Sequence, residues 1–256
     1  MSFLDEILVA TRARVDDLKQ KVTPDVFEAR VASSPIPLDL VQALSQGSPS
    51  VIAEIKRASP AKGDIDRNLN AGELARSYAA GGAAAISVLT EPDYFRGSLE
   101  DMIAAIPAGL PVLRKDFLID EIQLLESRAA GADAVLLIAR VLGPRLAEMY
   151  KGALALGMQA LVEIYDEADG ALAAECGASV VGINHRDLET FDVDLDRTRH
   201  LSPLLPSDTL VVALSGVSTR AEVEELVDQG AQAVLVGESL VRASDPTSKL
   251  RELMNA

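Results

Sequence analysis

The sequence is short of aromatic residues, histidine and cysteine, and each shortage excludes a class of structure or site. Tryptophan is absent and aromatic residues make up only 4% of the 256 residues, so aliphatic side chains must fill the core. A single cysteine, Cys176, excludes an internal disulfide framework and favours a reducing, cytoplasmic location. The two histidines, His185 and His200, have no neighbouring cysteine or histidine to complete a ligand set, so no metal site is expected.

Basic residues and long apolar runs are also scarce. Lysine and arginine number 24 against 39 acidic residues, and the net charge of −15 argues against a nucleic-acid partner, which needs clustered cations. No apolar run approaches the roughly 20 residues of a membrane span. The first residues mix acids with apolar side chains and lack the regions of a signal peptide. The expected partner is a small anionic molecule in a locally positive pocket, and the expected state is a monomer.

Glycine–alanine pairs recur between helical segments and short β-branched runs. The pairs are Gly82-Ala83, Gly131-Ala132, Gly177-Ala178 and Gly230-Ala231. Glycine closes each helix and the chain turns directly into a strand. We predict eight strands, near residues 51–56, 84–89, 111–115, 134–138, 159–163, 180–184, 210–214 and 233–236. Strands that are apolar throughout belong to parallel sheets covered by helices.

This alternation predicts an α/β fold, a (β/α)8 TIM barrel with its active site at the carboxyl ends of the strands. An open doubly wound sheet is the alternative, less favoured because no glycine-rich dinucleotide fingerprint follows the first strand. Residues 1–256 are predicted to form one barrel domain. Within it, residues 1–50 form an extension, helical at 2–20 and rich in proline and serine up to Ser50, that packs over one end of the barrel.

Four predicted strands end on a charged or polar residue. VIAEIK ends at Lys56, PVLRKDF contains Lys115, ALVEI contains Glu163 and VVGIN ends at Asn184. A buried strand has no structural use for such a residue, because an unpaired charge in a low-dielectric interior is costly. Since the carboxyl ends of barrel strands meet around one mouth, these side chains should share a pocket with Glu54, which lies on the same face as Lys56.

Two lysines and two glutamates around one pocket can transfer protons without a metal. Lysine close to lysine should have a lowered pKa, and glutamate shielded from water a raised pKa. His185 follows Asn184 directly, so alternation directs it away from the barrel interior, to a structural position or to solvent. Phe95, in TEPDYFRGS, and Phe117, in KDF, should lie near the mouth, where they either clamp a ring or close the core.

An anion site is predicted after strands seven and eight. ALSGVSTR and LVGESLVR each place glycine directly before a helix start. The backbone amides of Gly216, Gly237, Glu238 and Ser239 would then face a phosphate, aided by the helix dipole. A simpler interpretation also stays open, in which both turns need glycine for conformation alone.

With these segments the chain resembles the indole-3-glycerol phosphate synthase family from about residue 50 to its end. The shared segments, in strand order, are VIAEIKRASPAKG, SVLTEPDYFRGS, PVLRKDF, ADAVLLI, ALVEI, GINHRDLETFDVD, SGVS and AVLVGESL. The N-terminal extension is also similar to that family's extra helix. The resemblance implies a cofactor-free lyase of tryptophan biosynthesis. Its substrate, 1-(2-carboxyphenylamino)-1-deoxyribulose 5-phosphate, closes an indole ring, loses carbon dioxide and then loses water.

The resemblance also implies roles for individual residues. Lys115 would be the general acid that protonates the ribulose carbonyl as the ring closes, and Glu163 would serve in the proton transfers of dehydration. Lys56 would balance substrate charge and share the acid role. The other implied roles are positioning by Glu54 and Asn184, substrate binding by Ser59, Arg186 and Ser215, and packing on the anthranilate ring by Phe95 and Phe117.

One position departs from the family pattern. The family has glutamate before the strand-seven Ser-Gly, as in AESG, whereas this chain reads VVALSGVS, with Leu214 in that place. We expect the fold and the phosphate affinity to survive and turnover to be reduced. A barrel that binds the phosphate substrate with little turnover is therefore the alternative function, and whether the chain is natural or engineered stays open. A sugar-phosphate isomerase of the same pathway is less favoured, because such enzymes use a Cys/Asp or Asp/Asp pair.

Overall fold

The main sheet closes on itself into a barrel, as a computed structural model shows for residues 2–47, 49–187 and 190–254, the residues it describes. Leu188 and Glu189 of the GINHRDLETFDVD segment lie outside them. The strands are β1 (Ser50–Ile55), β2 (Ala58–Ser59), β3 (Gly63–Asp64), β4 (Ala85–Leu89), β5 (Val112–Lys115), β6 (Ala134–Ile138), β7 (Gln159–Ile164), β8 (Val180–Asn184), β9 (Leu210–Leu214) and β10 (Ala233–Val236).

Parallel pairing joins β4 to β10 in chain order, and β1 closes the ring by pairing with both β4 and β10. The short strands β2 and β3 form a separate antiparallel hairpin above β1. The eight barrel strands agree with the predicted ones to within one residue at each end. The (β/α)8 prediction is confirmed, and the open doubly wound sheet is wrong because no edge strand is left in the ring.

Helices cover the outside of the ring. They are α1 (Phe3–Lys21), α2 (Pro24–Ser33), α3 (Leu40–Ser45), α4 (Ala71–Gly81), α5 (Leu99–Ala105), α6 (Glu121–Ala129), α7 (Ala139–Leu142), α8 (Leu146–Ala155), α9 (Glu167–Glu175), α10 (Arg197–Leu201), α11 (Arg220–Asp228), α12 (Glu238–Val241) and α13 (Pro246–Met254). Short 3-10 turns lie at Ile106–Ala108, Gly143–Arg145 and Ser202–Leu204. None of the described helices is long and apolar enough to cross a membrane.

Local signals in the sequence set the helix ends. Capping boxes begin α1 at Ser2, α6 at Asp120 and α11 at Thr219, where a side chain satisfies backbone N–H groups that the first turn leaves unpaired. After α4, Gly82 takes a left-handed conformation with φ 92°, which a residue with a β-carbon rarely adopts, and this turns the chain into the next strand.

Alternation along the strands separates two aliphatic layers. Outward-facing residues pack against the helices, whereas inward-facing residues such as Ile52, Leu113, Leu161 and Leu235 fill the barrel. The inward face is also the face that carries the polar strand ends, because Ile52 lies two residues before Glu54 and Leu113 two residues before Lys115. The aliphatic core expected from the lack of tryptophan is therefore present, and its inner layer lies directly below the polar strand ends.

The N-terminal extension contains three helices and contacts both ends of the barrel. Phe3 and Ile7 of α1 lie at the cavity formed by the carboxyl ends of the strands. Further along, α2 packs on α6, and Leu40 and Leu44 of α3 pack into the inner cluster from the opposite end. We expected residues 1–50 to cover one end of the barrel, and they reach both ends. The proline-rich connector carries the chain from the mouth to the opposite end, where the strands begin, which is called here the barrel floor.

Polar side chains of the barrel hold this connector. Gln159, the first residue of β7, accepts hydrogen bonds from the backbone N–H groups of Leu40 and Val41 and donates one to Asp39, at 2.8 Å. Asp133 similarly accepts from the N–H of Leu38 at 2.8 Å. These contacts pair backbone N–H groups at the start of α3 and in the segment just before it.

Replacing Gln159 should therefore loosen the barrel floor. We expect Gln159→Leu to lower the free energy of unfolding by about 1–3 kcal/mol, because two N–H groups lose their acceptor. Urea unfolding followed by circular dichroism measures it. Gln46→Leu is the matched control, because Gln46 is exposed at the end of α3, and it should change the same quantity by less than about 0.5 kcal/mol. Equal losses in the two variants would contradict the assignment.

Candidate active site

A cavity of about 900 Å³, counting space open to solvent, lies at the carboxyl ends of the barrel strands. The five predicted catalytic residues all line it: Glu54, Lys56, Lys115, Glu163 and Asn184. They come from four different strand ends, and only the closure of the ring brings them together.

Glu54 lies between the two lysines. Its Oε1 is 2.9 Å from the Nζ of Lys56, and its Oε2 is 3.1 Å from the Nζ of Lys115. Its side chain is only 2% exposed, so burial alone would raise its pKa, yet the two ammonium groups outweigh burial and lower the pKa of Glu54 to about 2. Glu54 is consequently a fixed negative charge under the lysines rather than a group that exchanges protons near neutral pH.

Lys115 differs from the sequence expectation. Burial lowers its pKa, but the carboxylates of Glu54 and Glu163 outweigh burial, so the pKa of Lys115 is raised from its ordinary value. The predicted lowering was wrong for this residue because two carboxylates, and not only a second lysine, surround it. Lys115 therefore carries its proton over the whole physiological range, so the ammonium form is present to donate a proton.

Glu163 faces the opposite side of the cavity. Its Oε1 accepts a hydrogen bond of 2.9 Å from the Nδ2 of Asn184, whose Oδ1 in turn accepts the backbone N–H of Arg186 at 3.0 Å. Burial raises the pKa of Glu163, against the opposing effects of Lys115 and of the Asn184 hydrogen bond. The raised pKa brings this carboxyl closer to neutral pH, where one group can both take up and give back a proton.

Glu54 and Glu163 thus differ sharply although both are buried carboxyls. Glu54 stays ionised because two lysines lie close to it. Glu163 instead has the amide of Asn184 as its hydrogen-bond partner. Titratable groups whose environments push their pKa values apart are typical of acid–base sites. Among the described residues, no group of three histidine, cysteine, aspartate or glutamate side chains is placed to hold a metal ion.

The predicted substrate-binding residues fall into two sets. Ser59, Phe95, Phe117, Arg186, Ser215 and Glu238 line the cavity. The rings of Phe95 and Phe117 are 6.4 Å apart between centroids and inclined by 38°. The second set contains Gly216, Gly237 and Ser239. These residues are adjacent in the chain to the lining residues Ser215 and Glu238.

The two glycine turns differ from each other. Gly237 directly precedes α12, as predicted, and that helix has only four residues. Gly216 does not directly precede a helix, because α11 begins at Arg220 behind its own cap, Thr219. Ser215 and Gly216 instead share a left-handed turn, with φ 69° and 85°.

His185 lies outside the cavity, as predicted. It is buried, with Nδ1 3.2 Å from the backbone oxygen of Ser215 and Nε2 2.7 Å from the hydroxyl of Thr198. Its imidazole therefore ties the end of β8 to the loop after β9 and to α10, which is a structural task.

Sequence reasoning missed part of the lining. Phe3, Leu4 and Ile7 reach the cavity from α1, and Phe191 reaches it from the loop after β8. Lys62, at the tip of the hairpin between β2 and β3, adds a third lysine. Residues 2–20 were predicted to be helical, but nothing local in the sequence indicated which side chains of this helix line the cavity.

Leu214 is fully buried and faces the barrel interior. It pairs in register with Asn184 on the neighbouring strand. A β-carbon placed on Gly182 would lie 2.6 Å from the Cδ1 of Leu214, so the leucine side chain occupies the space that this glycine leaves. The position next to Asn184 is therefore filled by an aliphatic group.

Comparisons with known proteins agree with the geometry. A family model described as "Indole-3-glycerol phosphate synthase" matches residues 4–253. An indole-3-glycerol phosphate synthase of Mycolicibacterium vanbaalenii is 44% identical over 255 residues, covering 99% of this chain and 94% of that protein. A multifunctional tryptophan biosynthesis protein of Schizosaccharomyces pombe is 47% identical over 225 residues, covering 85% of this chain. The chain spans about 30% of the length of that multifunctional relative.

Solved structures of lower identity share the fold. An N-acetylmannosamine-6-phosphate 2-epimerase from Clostridium perfringens has a TM-score of 0.63 at 16% identity, covering 83% of this chain and 95% of its own. A mutant tryptophan synthase alpha-subunit from Pyrococcus furiosus has a TM-score of 0.60 at 17% identity, covering 82% and 99%. At this sequence identity, the similarity shows only that these proteins share the barrel fold.

The low pKa of Glu54 predicts a pH-dependent contribution to stability. Because the folded-state value of about 2 lies below the ordinary 4.5, the stabilisation is present above about pH 4.5 and is lost as the pH falls through about 2. The stability difference between the wild type and Glu54→Gln should shrink by on the order of 3 kcal/mol over that range. Urea unfolding at several pH values measures it.

Glu28→Gln is the control for this series, because Glu28 is an exposed carboxylate on α2. Its stability difference from the wild type should stay nearly constant with pH. The contribution of Glu163 is common to all three proteins and cancels in each difference. A constant difference for Glu54→Gln as well would contradict the lowered pKa.

Proposed function

The chain belongs to the indole-3-glycerol phosphate synthase family, and we propose that it acts as a carboxy-lyase of tryptophan biosynthesis through the residues of the barrel mouth. The proposed reaction converts 1-(2-carboxyphenylamino)-1-deoxyribulose 5-phosphate to indole-3-glycerol phosphate, carbon dioxide and water. The observation that carries the proposal is the Glu54 carboxylate held between Lys56 and Lys115, at 2.9 and 3.1 Å, opposite Glu163 in one cavity.

Ring closure needs an acid at the ribulose carbonyl. As the aromatic carbon attacks the carbonyl carbon, negative charge develops on the carbonyl oxygen, and Lys115 supplies the proton that quenches it. Its raised pKa keeps the ammonium form available, and Glu54 holds the side chain in place from below. Loss of the carboxylate as carbon dioxide then leaves the new ring ready for dehydration.

Dehydration needs one proton removed and one delivered to the departing hydroxyl group. Glu163 is suited to this step because burial raises its pKa, so the carboxyl can pass between its two forms during turnover. Asn184 orients Glu163 through the 2.9 Å hydrogen bond. Lys56 balances the charge of the substrate carboxylate or phosphate and shares the acid role.

The substrate phosphate is proposed to bind at the rim formed by the loops after β9 and β10. Ser215, Gly216, Gly237, Glu238 and Ser239 supply backbone amides and hydroxyl groups there. One support is the Ser239 hydroxyl oxygen, which is buried and has no hydrogen-bond partner among the described residues. The carboxylate of Glu238 is itself paired with Arg242 at 3.1 Å, so its charge is partly offset.

The aromatic part of the substrate is proposed to pack against Phe95 and Phe117. Both rings line the cavity, and their centroids are 6.4 Å apart, so together they form one apolar wall for a planar group. Ser59 and Arg186 supply polar contacts at the cavity wall. We also propose that residues 1–256 act as one monomeric domain in the cytoplasm, with the half-buried Cys176 reduced; sedimentation equilibrium tests the monomer.

Leu214 favours a second candidate function, a barrel that binds the phosphate substrate with little turnover. An aliphatic side chain beside Asn184 offers neither charge nor a hydrogen bond to the reacting groups. A fluorescence assay for indole-3-glycerol phosphate formation, alongside a direct measurement of substrate binding, separates the two candidates. Binding without product formation would favour the second.

Restoring a carboxylate should raise the rate. We expect Leu214→Glu to increase kcat by about tenfold or more, because it adds a charged acceptor beside Asn184. Leu214→Gln is the control, since it has the same shape and no charge, and it should give no comparable gain. A folded Leu214→Glu protein with unchanged kcat would mean that Leu214 is functionally neutral.

The two lysines should contribute unequally. Lys115→Ala is expected to lower kcat by roughly 10²- to 10⁴-fold, the range for loss of a general acid, and Lys56→Ala by less. In the wild type the alkaline limb that Lys115 causes should lie above the ordinary lysine range, because its pKa is raised. pH–rate profiles of the three proteins measure both effects. A greater loss on removing Lys56 would overturn the assignment.

A further inference from the structure

Glu91 is a completely buried carboxylate outside the lining of the cavity. It follows β4 and accepts three backbone N–H groups of its own loop, from Asp93 at 3.2 Å, Tyr94 at 2.7 Å and Phe95 at 3.1 Å. The loop backbone therefore surrounds this carboxylate, and these hydrogen bonds fix the backbone position of Phe95.

The rest of this loop is folded tightly. The N–H of Gly97 donates to the backbone oxygen of Glu91 at 2.8 Å. A β-carbon on Gly97 would lie 2.1 Å from the backbone oxygen of Leu89, so the loop returns against its own strand. Residues 91–97, called here the Phe95 loop, therefore have their shape determined mainly by the Glu91 carboxylate and this close return.

Arg14 of α1 supplies the positive charge that faces Glu91. Its Nη1 lies 2.7 Å from Oε1 of Glu91 and 2.6 Å from Oδ2 of Asp93, while Nη2 donates to the hydroxyl of Thr11 at 3.0 Å. Among the described residues, no other cation is ion-paired with Glu91. The pair joins residues 77 positions apart in the chain, so it ties the N-terminal helix to the Phe95 loop.

The same guanidinium faces the end of β5. Nη2 of Arg14 is 3.9 Å from Oδ1 of Asp116. That oxygen accepts the backbone N–H of Phe117 at 2.8 Å, and Oδ2 of Asp116 accepts the hydroxyl of Thr90 at 2.7 Å. Arg14 therefore stands between the loop that carries Phe95 and the segment that carries Phe117.

From this juxtaposition we propose that Arg14 is a positioning residue for the aromatic ring of the substrate. Through Glu91 it holds the Phe95 loop, and it faces Asp116 beside Phe117, so that Phe95 stays opposite Phe117; it does so without touching the substrate. The proposal rests on the proposed function, because it is the aromatic substrate that uses the paired rings. An arginine suits the task, since its planar fork reaches several acceptors at once, whereas a lysine offers one point charge.

Steady-state kinetics of Arg14→Ala give the first test. We expect KM to rise about tenfold while kcat changes less than about threefold, because a loosened ring site weakens binding in the ground state and the transition state alike. Arg14→Lys should recover part of the loss. Arg12→Ala is the matched control, because Arg12 lies on the same helix and is exposed. Asp93→Asn should have little effect, since the Asp93 carboxylate lies at the exposed rim.

Hydrogen exchange gives a second test that needs no turnover. In Arg14→Ala the amides of Tyr94 and Phe95 should exchange at least tenfold faster than in the wild type, while those of β6 stay unchanged. If the wild type formed no indole-3-glycerol phosphate, the proposed function would fail and exchange would still decide the role of Arg14. Exchange within twofold of the wild type would overturn the proposal. The proposal would also be overturned if Arg14→Ala lowered activity only in proportion to the folded fraction and left KM unchanged.

Discussion

The site depends on one buried carboxylate. Glu54 stands 2.9 Å from the ammonium of Lys56 and 3.1 Å from that of Lys115, so one buried carboxylate offsets the charge of both lysines. The same charge keeps Lys115 protonated, so an acid is available where the proposed chemistry needs one. Burial raises the pKa of Glu163, because the nearby Lys115 and the Asn184 hydrogen bond only partly offset it. Two residues of one type thus take opposite roles through their surroundings.

The closed ring makes this arrangement possible. Lys56, Lys115 and Glu163 end three separate strands, and parallel pairing around the barrel turns all three ends towards the same opening. The aliphatic layer below them excludes water, which strengthens every electrostatic contact above it. Leu214 belongs to this layer and extends it next to Asn184. Leucine at this position offers neither charge nor a hydrogen bond next to Asn184, and it fills the space beside Gly182.

The N-terminal extension is part of the site as well as of the fold. It begins at the mouth, passes along α6 and ends at the floor, where Gln159 and Asp133 pair its backbone. At the mouth, Arg14 contacts the buried Glu91, and Phe3 and Ile7 line the cavity. α1 thus links the cavity lining to the loop that carries Phe95, so a substitution in this helix lies close to the site although it is far from it in the chain.

The amino-acid sequence by itself determined the strands, because each is a short apolar run bounded by glycine or by a polar end, and these signals are local. It also indicated Lys56, Lys115, Glu163 and Asn184 as candidate site residues, because a charged or polar residue at the end of a buried strand has no structural use. Only the tertiary structure decided the state of Lys115, since its raised pKa depends on carboxylates from two other strands. Contacts such as Arg14 with Glu91 join residues distant in the chain. No local pattern encodes them, because they exist only once the barrel has closed.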